Sequence, residues 1–436
     1  MSDWQEAEQR VERAQRLFES QRWAEALTEL EAAIAINPNN ASWHYHRGVI
    51  LDQLGQYDRA VEAYQTADEI EADDALTLAA LGVNLLRVGR HASALDVFER
   101  LASIDPDHEP AYCHRICAYH NLDQHEKAEE MFYLAQQIDP DCPDAFFFMG
   151  QSLIARQQDD RALFCWTRAL ELDPTYPAAH WCIAQIHRRR GDSVQARQHY
   201  LAELRLDAGN LDLLTELAEM LLEAGQLAAA AEKCRQIMEL DPDWAEPHVL
   251  LGRLALLEDR PAEAMDHFVR ADRLDSDCPD LAGLMGEACY RLGRYGRAVG
   301  HFRRQLDRFE DDASALMGLG SSLLELDRPD EAAERFARLA ELEPDSLEAQ
   351  YSLAICCLRR RQFADAIDHC RAAIAIRGDY LLAWHKLALC FMHLGRLDEA
   401  RRALARADEI APGDQAIRRL SRRLVWRRLW ARLGGS

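Results

Sequence analysis

Along nearly the whole chain, apolar positions recur with helical spacing in paired stretches of about a dozen residues each. Gly or a polar residue breaks each pair, as in Leu54-Gly55-Gln56-Tyr57 and Leu394-Gly395-Arg396-Leu397. Pro follows the second stretch at Pro38, Pro106, Pro140, Pro174, Pro242, Pro344 and Pro412. Proline lacks an N–H and disfavours helix in the residue before it, so it marks a stop. Pro110, Pro143, Pro177 and Pro279 stand where the next helix is predicted to begin, a place that tolerates the missing donor.

The pairs repeat every 34 residues. From Ala26, each step of 34 lands on Ala: Ala60, Ala94, Ala128, Ala162, Ala196, Ala230, Ala264, Ala298, Ala332, Ala366 and Ala400. Twelve residues before each of these lies a second column, Gly or Ala in every repeat but the fourth, which has Ile116. Four residues after lies a third, with Tyr64, Phe98, Phe132, Trp166, Tyr200, Phe268, Phe302 and Phe336, and Leu30, Cys234, Cys370 and Leu404 elsewhere. Two small columns predict two helices in close approach. The rings one turn on are predicted to pack the next hairpin.

This unit resembles the tetratricopeptide repeat family, whose pattern repeat two carries as Gly48, Gly55, Tyr57, Ala60, Tyr64 and Ala67. The resemblance implies an all-α fold: a right-handed superhelical solenoid of tandem helical hairpins with a C-terminal capping helix. About twelve repeats are expected, at 7–40, 41–74, 75–108, 109–142, 143–176, 177–210, 211–244, 245–278, 279–312, 313–346, 347–380 and 381–414, with 415–436 as the tail. One hairpin cannot bury its apolar faces alone, and stacking supplies a continuous core. Glu6, Glu8, Arg10, Glu12 and Arg13 suit an exposed N-terminal cap. Ala72, Ala208, Ser276, Glu310 and Gly378 replace the closing Pro and leave those turns open.

The resemblance also implies that first helices line a concave groove for a partner peptide or helix. Carried over by register, the groove is expected to use Tyr45, Val49, Leu86, His120, Phe147, Gln151, Trp181, Gln185 and Arg188. In the later half the same register gives Thr215, Glu219, Val249, Arg253, Glu287, Tyr290, Met317, Tyr351 and His385. Rings such as Phe147 and Trp181 suit anchors for an apolar partner; the plainer reading is packing between adjacent first helices. The Lys/Asn/Arg carboxylate clamp of chaperone-binding members has no counterpart, since Tyr45, Val49, Ala79 and Ala80 stand at its positions.

Charge narrows the partners. The net charge is −23, yet residues 415–436 hold seven Arg and no acid, which leaves about −30 on the rest. Such a body repels phosphate backbones, so no nucleic acid is expected. The tail residues Arg418, Arg419, Arg422, Arg423, Trp426, Arg427, Arg428 and Trp430 alternate with apolar ones at helical spacing. They fit a cap helix, a helix on an anionic membrane surface, or a contact with another copy of the chain.

Cys113, Cys117 and His120 fall on one helical face and are the candidates for a metal, with no fourth ligand in view. Filling of helix contacts is the commoner role of such cysteines. Neither CxxC pairs nor phosphate-loop, HExxH or GxSxG motifs occur. The chain is expected to be a cytoplasmic interaction scaffold or adaptor for complex assembly, not an enzyme, without cofactor. Peripheral attachment to the inner face of a membrane through the tail is the alternative.

Overall fold

The computed structural model describes residues 3–432, and side-chain surroundings for residues 4–427. Twenty-five helices and no strand occur among the described residues. The chain divides into two compact units, residues 1–213 and 214–436. The first carries α1 (Asp3–Glu19) and α2 (Trp23–Ile36), α3 (Ala41–Gln53) and α4 (Tyr57–Ile70), α5 (Ala75–Arg87) and α6 (His91–Ile104), α7 (Glu109–Asn121) and α8 (His125–Ile138), α9 (Pro143–Ala155) and α10 (Asp159–Leu172), then α11 (Ala179–Arg189) and α12 (Ser193–Leu206). The division falls in α13 (Leu211–Glu223). The second continues with α14 (Leu227–Leu240), α15 (Glu246–Leu257), α16 (Pro261–Leu274), α17 (Leu281–Arg291), α18 (Tyr295–Arg308), α19 (Ala313–Glu325), α20 (Pro329–Leu342), α21 (Leu347–Arg359), α22 (Phe363–Ile376), α23 (Leu381–His393), α24 (Leu397–Ile410) and α25 (Gln415–Arg432).

Within each unit, successive helices pack on one another in chain order. The alanine column explains why they can. Every member from Ala26 to Ala400 is at most 2% exposed, each on the second helix of its hairpin. The ring column does more within its own hairpin than the sequence suggested. A Cβ added to Gly48, Gly82, Gly150, Gly252, Gly286 or Gly320 would lie within 2.8 Å of the ring sixteen residues on. Packing on the next hairpin also occurs, because a Cβ added to Gly318 would lie 2.3 Å from the Phe302 ring.

The turn inside each hairpin takes one residue into the left-handed region. It is Gly at 55, 89, 191, 225, 293 and 395, and Gln21, Asp123, Gln157, Asp259, Asp327 and Arg361 elsewhere. The next amide then returns to the last helical turn, as Gln56 N–H does to Leu51 O at 2.9 Å. The turns that lack the closing Pro end in register with the others: α4 at Ile70 and α22 at Ile376 match α2 at Ile36. Proline is therefore dispensable there.

Two helix starts differ from the sequence reading. Pro110 and Pro143 sit in the first turns of α7 and α9, whereas Pro177 and Pro279 lie in turns before α11 and α17. Ala178 (φ 63°) and Asp280 (φ 60°) are left-handed, which delays both helices. Their exposed amides are taken by side chains from the following helix. Glu203 accepts from Ala178 N–H (2.8 Å) and Trp181 N–H (3.2 Å), and Gln305 accepts from Gly283 N–H (3.3 Å).

Candidate functional site

Most of the predicted groove residues of the first unit are tied into inter-helix packing. Tyr45, Val49 and Leu86 are half-buried against the core of the first three hairpins. Phe147 lies 4.9 Å from the Tyr176 ring, and its carbonyl accepts from Trp166 Nε1 at 3.1 Å. Gln151 donates to Cys182 Sγ on α11 at 3.2 Å. His120 sits beside His125 (ring centroids 5.9 Å apart), and burial lowers its pKa. Gln185 and Arg188 are half-buried. Trp181 presents the most surface of the nine, 36% exposed among the large apolar side chains.

A groove of about 1280 Å³ lies in the second unit, on the first-helix side of α15, α17, α19 and α21. Its floor is apolar, with Val249, Leu250, Leu284 and Met317. Its walls hold seven carboxylates: Glu219, Glu246, Glu287, Glu343 and Glu348, together with Asp280 and Asp312. Arg253 is the only basic residue among the described lining. Glu287 shares its charge with Arg291 (2.6 Å). Buried Gln305 donates to Asp280 Oδ1 (3.0 Å) and Asp312 Oδ2 (2.9 Å), which fixes both aspartates from beneath. Register found Glu219, Val249, Arg253, Glu287, Tyr290 and Met317 of this lining. It missed Glu246, Asp280, Asp312, Glu343 and Glu348, which stand at or beside helix ends outside the repeated columns.

All twelve cysteines are unpaired, and all but Cys117 are buried. Cys113 is not drawn together with Cys117 and His120. Its thiol meets Glu109 Oε1 at 2.5 Å and Cys142 Sγ at 3.7 Å. Cys117 is contacted by Asn121 Nδ2 at 3.6 Å.

The tail helix α25 buries Ile417, Leu420 and Leu424 against the last hairpin, with Leu404 and Ala407 in the same cluster. Arg418, Arg419, Arg422, Arg423 and Trp426 (73%) are exposed. Arg427 is exposed as well and donates to Met392 O at 2.5 Å. The side chains of Arg428 and Trp430 lie outside the described residues. No described helix is long and apolar enough to cross a membrane.

Models of the tetratricopeptide repeat match residues 11–75, 75–100, 110–142, 147–210, 221–288, 284–333, 319–380 and 358–424. The chain belongs to the tetratricopeptide repeat family, and its tandem hairpins are those of that fold. No protein of curated function matches it. Among solved structures, the Cut9–Hcn1 hetero-tetramer of the APC/C is similar at 14% identity, over 94% of this chain and 95% of that one, with a TM-score of 0.48. YrrB, a TPR protein with an unusual peptide-binding site, is 23% identical over 43% of this chain and 96% of its own, with a TM-score of 0.39. Yeast Tom70 is 14% identical over 98% and 96%, with a TM-score of 0.38.

Proposed function

We propose that this chain is a scaffold that holds a basic segment of a partner protein in the groove of residues 214–436. The carrying observation is the lining of that groove, seven carboxylates and one arginine over an apolar floor. Low-dielectric walls of one sign concentrate a ligand of opposite charge. The apolar floor supplies contact area for the aliphatic stems of Lys and Arg. The name of YrrB, with its peptide-binding site, is in keeping with this use of the family fold. Fluorescence anisotropy with labelled peptides rich in Lys and Arg, against charge-reversed controls, tests it. Glu246→Lys/Glu287→Lys should weaken the basic peptides at least roughly tenfold by like-charge repulsion. Equal binding of acidic peptides, or no effect of the double substitution, would overturn it.

The first unit offers a second surface centred on Trp181, whose backbone Glu203 holds in place. If an apolar partner uses it, Phe147→Ala/Trp181→Ala releases that partner and leaves basic peptides bound. A third reading places α25 on an anionic membrane, supported by exposed Trp426 among exposed arginines. Flotation with anionic vesicles, with and without residues 415–436, tests it; equal flotation of both forms sinks it.

A further inference from the structure

We infer that Glu109, Cys113 and Cys142 form a binding site for one thiophilic divalent cation of the zinc class, joining the fourth hairpin to the fifth. Their ligand atoms all lie within 4.8 Å of one another, and they are the only such set among the described residues. The two sulfurs are 3.7 Å apart. Two thiolates on one edge of a tetrahedron, with metal–sulfur bonds of about 2.3 Å, stand about 3.8 Å apart. The sulfurs therefore need almost no movement to take up an ion. Glu109 is one helical turn before Cys113, so its carboxylate approaches from the same face of α7. It touches the Cys113 thiol at 2.5 Å and would swing outward by about 1 Å to share an ion with it. Half-buried at the start of α7, it is placed to do so.

Cys142 has no competing role in its own helix. It occupies the N-cap of α9, yet its side chain caps nothing. At matching positions Asn40, Asp74, Asp312 and Ser346 accept from the amide three residues on. At Cys142 that bond is absent, as it is at His108 and Tyr380; what sets Cys142 apart is that its sulfur faces Cys113 at 3.7 Å. Asp144 is close in sequence but is engaged, since it accepts from the Tyr176 hydroxyl at 2.5 Å. That leaves three protein ligands and a fourth position for water, the arrangement of an open zinc site. Binding converts both thiols to thiolates, and the two protons leave to solvent. Cys370 and Cys390 also sit together in one buried cluster, but no carboxylate or imidazole completes a set there. That pair serves as the internal control.

The test is a Co(II) titration of the reduced, metal-free full-length protein, with Co(II) standing in for zinc. The expected result is a thiolate-to-cobalt charge-transfer band that saturates at one equivalent and disappears when zinc is added. Cys142→Ser should abolish the band, and Cys370→Ser should leave it intact. Glu109→Gln, a change at a half-buried position, should weaken binding at least roughly tenfold. Absence of the band in the unsubstituted protein overturns the site. So does its survival at full intensity in Cys142→Ser. If Cys142→Ser fails to melt cooperatively, Glu109→Gln decides: unchanged affinity there also overturns it.

Discussion

Ile116 fills the space that glycine leaves beneath a ring in neighbouring hairpins, and Phe132, sixteen residues on, is only half-buried. In the preceding hairpin, Phe98 is fully buried on Gly82, where an added Cβ would stand 2.5 Å from the ring. Phe132 turns instead to Phe146 of the next hairpin, edge-on at 5.4 Å. A methyl group at residue 82 must therefore displace Phe98. Gly82→Ala is expected to cost about 1–3 kcal/mol, the usual range for overpacking. Phe98→Leu should recover part of that loss in a double-mutant cycle read by urea unfolding.

Glu203 is the buried acceptor for the first amides of α11. Glu203→Ala would orphan them, and a loss of about 1–3 kcal/mol is expected. Glu203→Gln should keep most of the stability, because Gln305 performs the same task three hairpins later. Faster hydrogen exchange confined to the start of α11 in the alanine variant would locate the effect.

Arg361 holds a left-handed backbone (φ 58°) at the turn where other hairpins use glycine. An L side chain pays a steric penalty there. Arg361→Gly should raise stability by about 0.5–1 kcal/mol net of the extra freedom of the unfolded chain. A lower melting temperature would show that the exposed arginine contributes more than its backbone costs.

His199 faces His180 (3.0 Å between Nδ1 atoms) and stacks on His187. Burial first, then the two neighbouring imidazoles, lowers its pKa to about 4. Because the folded value lies below the unfolded one, its contribution is complete above about pH 6.5 and is lost as pH falls toward about 4. The slope is at most about 1.4 kcal/mol per pH unit. His199→Gln should flatten the acid side of the stability profile in that window. An unchanged profile would assign the acid loss to other groups.

Leu420 is 5% exposed where α25 covers the last hairpin. Leu420→Ala is expected to cost about 2–4 kcal/mol in the second unit, seen as early melting or exchange in α24 and α25. Substitution of exposed Arg422 should leave stability within about 0.5 kcal/mol.

The period of 34 and the columns at Ala26 and Gly48 determined the helical hairpins by themselves. A small residue repeated at one place on a helix face admits only a close neighbour, and that constraint is local. The turn residues were legible for the same reason, since Gly55 and Gly395 break the pattern where a left-handed residue is needed. Which hairpin a ring would serve was not. Phe302 lies between Gly286 and Gly318, and the division of its surface depends on how the hairpins stack. The acidic groove needed the tertiary structure as well, because Glu246, Asp312 and Glu348 come from the starts of three different helices. Helical register placed Cys113 with Cys117 and His120, whereas stacking brought Cys142 to it from the next hairpin, 3.7 Å away. Spacing along one helix decides which residues share a face. Only the packing of one hairpin on another decides which faces meet.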